Sequence, residues 1–190
     1  KRQGMLVGPL AGLTSSWLVV KVKLPPFIAT LGIMGIWRGL GFVITEARFY
    51  DLSAKLPQNW HVVGLPIDWM GPIIMIVLAL IFHVLMTQFQ WGRAVFAVGG
   101  NETAALFSGI QIGRVRTMAY VIAGLLASVS GVVLAAVQGQ GKADLANGYE
   151  LDIIASAVVG GTSLAGGRGS VLGAVLGALI FGVLRNAMPQ

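Results

Sequence analysis

Glu150 and Asp152 stand two residues apart beside an apolar run, and paired carboxylates are common equipment for acid–base chemistry. Their spacing does not suit that work, because residues at i and i+2 of a helix do not share a face. Two other roles remain. They are helix-start carboxylates favoured by the helix dipole, or, with Tyr149, a rim contact for a solute or a soluble binding partner. Arg38 lies inside an apolar run, past its middle. A charge at membrane depth costs ~2.5–3.5 kcal/mol on insertion scales. It therefore faces a bundle interior or cavity, or snorkels to the outer interface. His83 reads as a packing histidine in preference to a proton relay, and His61 is a loop residue.

Other chemistries lack their residues. Gly99-Gly100 and Gly166-Gly167-Arg168-Gly169 carry no Lys-Ser/Thr step of a phosphate-binding loop. There is no Gly-x-Ser-x-Gly elbow and no His-Glu-x-x-His pair. With no cysteine, disulfides and cysteine-ligated metals are excluded. The expectation is a chain that is not an enzyme and needs neither metal nor cofactor. An ion-coupled secondary transporter is the alternative, but such proteins bury coupling carboxylates. Here Glu102 falls in a loop and Glu150 and Asp152 at a membrane edge.

Asn101-Glu102-Thr103-Ala104-Ala105-Leu106-Phe107-Ser108-Gly109 is the most informative stretch. Asn101 is a good N-cap, and Glu102 sits at the positive end of the helix dipole. Ala104 and Ala105 give a small-surfaced first turn, and Gly109 ends the helix as a C-cap glycine does. The product is a short helix between two long apolar runs. It is either an ordinary capped interfacial helix or one shaped to enter a groove of a soluble partner.

The elements that must position these residues are membrane spans. Hydrophobic residues make up 56% of the chain and charged ones 11%, against about 25% charged in soluble domains. Mean hydropathy is +0.82, and the excess apolar surface must face lipid. Net charge is +6, but the basic residues are scattered near the ends of apolar runs, which argues for membrane orientation and against nucleic acid.

Six apolar segments are expected, at residues 4–20, 27–45, 70–88, 117–137, 151–165 and 170–188. Five approach the ~20 residues that cross the hydrocarbon. The segment 151–165 is shorter and ends on Gly160-Gly161, so it reads as a broken or re-entrant helix. Gly160, Gly161, Thr162 and Ser163 then supply backbone and hydroxyl groups at depth, either to line a polar path or to satisfy the broken helix. Lys and Arg place Lys21, Lys23, the Arg93–Arg116 loop and Arg168 inside, with the loops at 46–68 and 139–150 outside; Arg185 near an outer end runs against this. The longest outer loop, 49–68, is expected to carry a surface helix or hairpin. Gly4, Gly8 and Gly12 share one helix face, as do Gly169, Gly173 and Gly177, and Gly32, Gly35, Gly39 and Gly41 thin the second segment. Spacing of this kind lets helices pack closely, within the bundle or at a subunit interface. Both termini fall near helix ends, as in a partial chain.

The run Glu102–Gly109 resembles the short coupling loop of ABC importer permeases, with Glu-Thr-Ala-Ala where that loop has Glu-Ala-Ala. Leu24-Pro25-Pro26-Phe27-Ile28-Ala29-Thr30-Leu31-Gly32, Arg38-Gly39, Gly99-Gly100-Asn101-Glu102 and Gly148-Tyr149-Glu150-Leu151-Asp152 follow in the order of ribose-type permeases. So does Gly160-Gly161-Thr162-Ser163-Leu164-Ala165-Gly166-Gly167-Arg168-Gly169. The resemblance covers nearly the whole chain. It implies an all-α, polytopic transmembrane bundle with a cytoplasmic coupling helix. Residues 1–190 would form one partial permease domain lacking helices at both ends. The function implied is movement of a ribose-type sugar across the bacterial inner membrane by alternating access. Its partners would be cytoplasmic ATP-binding cassette subunits, a periplasmic sugar-binding protein and a second permease subunit. On this reading Asn101, Glu102, Ala104, Ala105 and Gly109 couple to the ATPase. Arg38, Tyr149, Glu150, Asp152, Gly160, Gly161, Thr162 and Ser163 line the path or its gate.

Overall fold

The computed structural model describes residues 2–46, 48–51 and 69–187. The outer loop expected to carry a helix or hairpin lies, beyond Asp51, outside them, as does His61. The described chain is almost entirely helical and divides into two compact units.

One unit comprises Lys1–Pro72 and Arg116–Leu145. It holds α1 (Arg2–Val20), α2 (Pro26–Thr45) and most of α6 (Ile112–Gln138), with two short strands, β1 (Tyr50–Asp51) and β2 (Gln140–Gly141). Pro26 opens α2 at a position where a missing N–H costs nothing. Helices α1 and α6 run antiparallel in close contact. Gly8 abuts Gly124, Gly12 abuts Tyr120, and the Ser16 hydroxyl donates to Thr117 Oγ1 at 2.8 Å. Gly8 and Gly12 thus serve packing inside the chain. By contrast, a Cβ at Gly32, Gly35 or Gly39 would meet nothing within 4 Å, and one at Gly41 would lie 3.6 Å from Ala143 Cβ; among the described residues, only the Gly41 end of the thin face of α2 has a packing neighbour. Tyr50 pairs with Gly141 and Asp51 with Gln140, antiparallel. The segments that follow α2 and α6 therefore meet at Tyr50–Asp51 and Gln140–Gly141.

The second unit comprises Ile73–Val115 and Ala146–Gln190. It holds α3 (Met70–Gln88), α4 (Gln90–Gly100), α5 (Glu102–Phe107), α7 (Tyr149–Val159) and α8 (Val171–Ala187). The chain breaks at Phe89, which is extended (φ −91, ψ 150), and continues as α4. This helix was not expected. Its Gln90, Arg93 and three glycines keep it out of any search for long apolar runs. Of the expected segment 151–165, only the part through Val159 is helical. Eleven residues rise ~16 Å, about half the ~30 Å hydrocarbon core. Gly160 abuts Gly173, and Gly177 abuts Ser156, so α7 and α8 form an antiparallel hairpin. Gly173 and Gly177 face α7, whereas Gly169 precedes α8 and is not on its face. Ser170 caps α8 by accepting the Gly173 N–H at 3.0 Å.

Among the described residues, three helices are long and apolar enough to cross a membrane: Pro26–Thr45, Gly71–Gln88 and Ile112–Gln138. Val7–Val20 and Val171–Ala187 are apolar but shorter. Large aliphatic side chains cover the outer faces of these helices, as lipid contact requires. The chain is an all-α polytopic membrane protein.

Candidate functional site

The short helix α5 is fully capped by its own sequence. Asn101 is extended (φ −154, ψ 103), and its side-chain oxygen accepts the Ala104 N–H at 3.0 Å. Glu102 occupies the first turn. At the other end Gly109 takes φ +78. Its N–H donates to Leu106 O at 3.0 Å and that of Ile110 to Ala105 O at 3.1 Å, the two bonds of a Schellman motif. The expected N-cap and C-terminal glycine are both present. Ala105 is 3% exposed, so it seats the helix on its own chain, while Leu106 (60%) and Phe107 (86%) point outward. These two exposed apolar side chains were not singled out from sequence; apolar residues on a short polar-flanked helix were the available signal.

Immediately before α5, the end of α4 rests on the glycine turn of the α7–α8 hairpin. A Cβ at Gly99 would lie 2.5 Å from Gly167 N, and one at Gly167 would lie 2.5 Å from Gly100 N. Backbone therefore meets backbone. The turn is held by Ser163 N–H donating to Arg168 O (3.0 Å) and Gly166 N–H to Ser163 O (3.1 Å). Helix α7 ends like α5: Gly161 takes φ +86, with its N–H on Val158 O and that of Thr162 on Ala157 O, both 2.9 Å. Gly160, Gly161 and Thr162 thus satisfy the end of the broken helix directly. The contact also brings the C-terminal end of α4 beside the turn that carries Arg168.

The opposite end of the hairpin is polar. Asp152 Oδ2 accepts from Arg185 Nη1 at 2.6 Å, and that guanidinium sits 4.8 Å from the centre of the Tyr149 ring. Arg185, which runs against the charge map in sequence, is thereby paired, and it lies in the last turn of α8, where the dipole favours a cation. Glu150 stands beside them in the first turn of α7.

Arg38 belongs to the other unit. There it lines a cavity of about 450 Å³ with Trp37 and Thr30 of α2, Ser15 of α1 and Tyr120 of α6. Arg38 therefore borders an open groove of this unit. Trp37 and Tyr120 were missed because a lone aromatic in an apolar run carries no mark of facing a cavity. Among the described residues no cluster of His, Cys, Asp or Glu could hold a metal.

A family model described as "Branched-chain amino acid transport system / permease component" matches residues 3–190. The Escherichia coli (strain K12) protein named Probable ABC transporter permease protein YphD is 43% identical over 169 residues, 87% of this chain and 50% of that protein. Ribose import permease protein RbsC of Bacillus subtilis (strain 168) is 40% identical over 177 residues, 90% of this chain and 54% of that protein. D-allose transport system permease protein AlsC of E. coli (strain K12) is 36% identical over 189 residues, covering 97% and 57%. The chain spans about half the length of the curated relatives it matches. No solved structure matches it.

Proposed function

The chain belongs to the branched-chain amino acid transport system / permease component family, and on that premise we propose that it is part of the permease of an ATP-driven sugar importer. The observation that carries the reading is its similarity, along nine-tenths or more of its length, to permeases named for ribose and allose. The cargo class is a ribose-type monosaccharide or a related polyol-like solute, and the site of action is the bacterial inner membrane. Both structural units belong to one permease domain; the family match running through both supports this.

The permease hydrolyses nothing itself. Cytoplasmic ATP-binding cassette subunits close on ATP, and α5 passes that motion to the helix bundle, which alternately opens to either side. A second permease subunit completes the channel and a periplasmic sugar-binding protein delivers the cargo. In this scheme Asn101, Glu102, Ala104, Ala105 and Gly109 shape the coupling helix, and Leu106 and Phe107 enter the ATPase groove. Arg38, Tyr149, Glu150, Asp152 and the Gly160–Ser163 turn line the path or its gate. Polar residues are sparse in the apolar spans, which supports weak binding along the path and recognition by the binding protein.

The test uses the full-length permease with its ATPase and binding protein in proteoliposomes. Gly109→Val should abolish most ATP-coupled ribose uptake with membrane insertion intact, because β-branched residues do not tolerate φ near +78. Glu102→Gln, which keeps side-chain shape, should cost less. A cysteine at Phe107 should cross-link to the ATPase. Normal coupling in Gly109→Val with no cross-link from Phe107 sinks the assignment, as does uptake driven by an ion gradient without ATPase. On sidedness, a cysteine at Ser108 should be labelled from the cytoplasm and one at Ser53 from outside; labelling of both from one side removes the topology.

A further inference from the structure

We infer that the backbone contact of Gly99 with Gly166–Gly167 is the joint that carries movement of α5 into the α7–α8 hairpin, so that coupling helix and broken helix shift as one body. This rests on the reading of α5 as the coupling helix.

Three features make the joint stiff. First, no side chain stands between the two segments: the built Cβ of Gly99 falls 2.5 Å from Gly167 N and 3.1 Å from its Cα. Contacts between side chains absorb a push by changing rotamer; a contact between backbones has no such freedom, and packed backbone moves in discrete steps. Second, there is no slack on the α5 side. Asn101 alone joins the helices, its N–H donating to Ala97 O of α4 at 3.0 Å while its side chain caps α5. Third, there is none on the hairpin side. The turn is bonded across Ser163 and Arg168, and Gly160 is pressed against Gly173 where α7 ends. A displacement of α5 thus meets Gly167 and passes to the end of the short helix whose other end carries Tyr149, Glu150 and Asp152.

The neighbouring glycine supplies an internal control. Both Gly99 and Gly100 are helical, so alanine improves helix propensity equally at each. A Cβ at Gly100, however, has its nearest neighbour at 4.0 Å. In reconstituted full-length transporter, Gly99→Ala should lower ribose uptake and binding-protein-stimulated ATP hydrolysis about tenfold, leaving basal hydrolysis and the Phe107 cross-link to the ATPase unchanged. Gly100→Ala should match the parent. Equal behaviour of the two variants, whether both normal or both impaired, overturns the joint.

Should Gly99→Ala fail to assemble, the parent backbone still decides. Spin labels on cysteines at the exposed Thr103 and Leu164 report the distance from α5 to the glycine turn. That distance should be the same in the nucleotide-free and vanadate-trapped states; a change between them overturns the joint. No Phe107 cross-link in the parent refutes the coupling helix itself, whereas a cross-link with normal coupling in Gly99→Ala refutes the joint alone.

Discussion

The two ends of the α7–α8 hairpin are built from opposite materials. At the end shared with α4, glycine backbones touch: Gly160 on Gly173, Gly99 on Gly167. At the other end, Asp152, Arg185 and Tyr149 meet through half-exposed polar side chains. Close backbone packing is rigid and insensitive to solvent. An exposed ion pair is weak and screened by salt. The difference teaches where the hairpin yields: the polar end can rearrange at little cost, while the glycine end transmits displacement.

The sharpest way to break this contrast is to overfill the glycine end. Gly177→Val drives a branched side chain into Ser156 O and Gly160 N. Overpacking of this kind costs about 1–3 kcal/mol. The full-length variant in detergent should show a clearly lowered thermal midpoint, whereas Gly182→Ala on the same helix, with nothing within 4 Å, should not. Equal loss in both means the packing contact is not what matters.

A smaller effect is expected where a local motif is removed without overfilling. Asn101→Ala deletes the acceptor for Ala104 N–H and should cost about 1 kcal/mol. Faster amide exchange confined to α5 is the readout; exchange spreading through α4 would show that the cap holds more than its own helix.

The smallest effect belongs to the polar end. Asp152→Asn should change stability by about 0.2–1 kcal/mol, since the pair is 55% and 36% exposed. The deficit should shrink as salt is raised. A loss matching that of Gly177→Val would abolish the contrast between the ends.

Much of this was legible in sequence where the cause is local. Asn101 and Gly109 mark α5 because a cap and a positive-φ glycine act within a few residues. Gly160-Gly161 marks the end of α7 for the same reason. The helix α4 was not legible, because its polar and glycine residues hide it from a search by apolar length. The inward turn of Ala105 and outward turn of Leu106 and Phe107 were equally hidden, since a six-residue helix shows no periodicity to orient it.

By itself, then, the sequence determined the membrane character, the apolar segments, the caps and the broken helix, each a consequence of composition or of bonds between near neighbours. Tertiary structure alone decided which glycines touch and which side chains gather near Arg38. Gly99 meets Gly167, Gly12 meets Tyr120, and Arg38 shares a cavity with Tyr120. These pairings join residues tens of positions apart. A glycine's spacing permits a close approach, but only the fold supplies the surface that makes it.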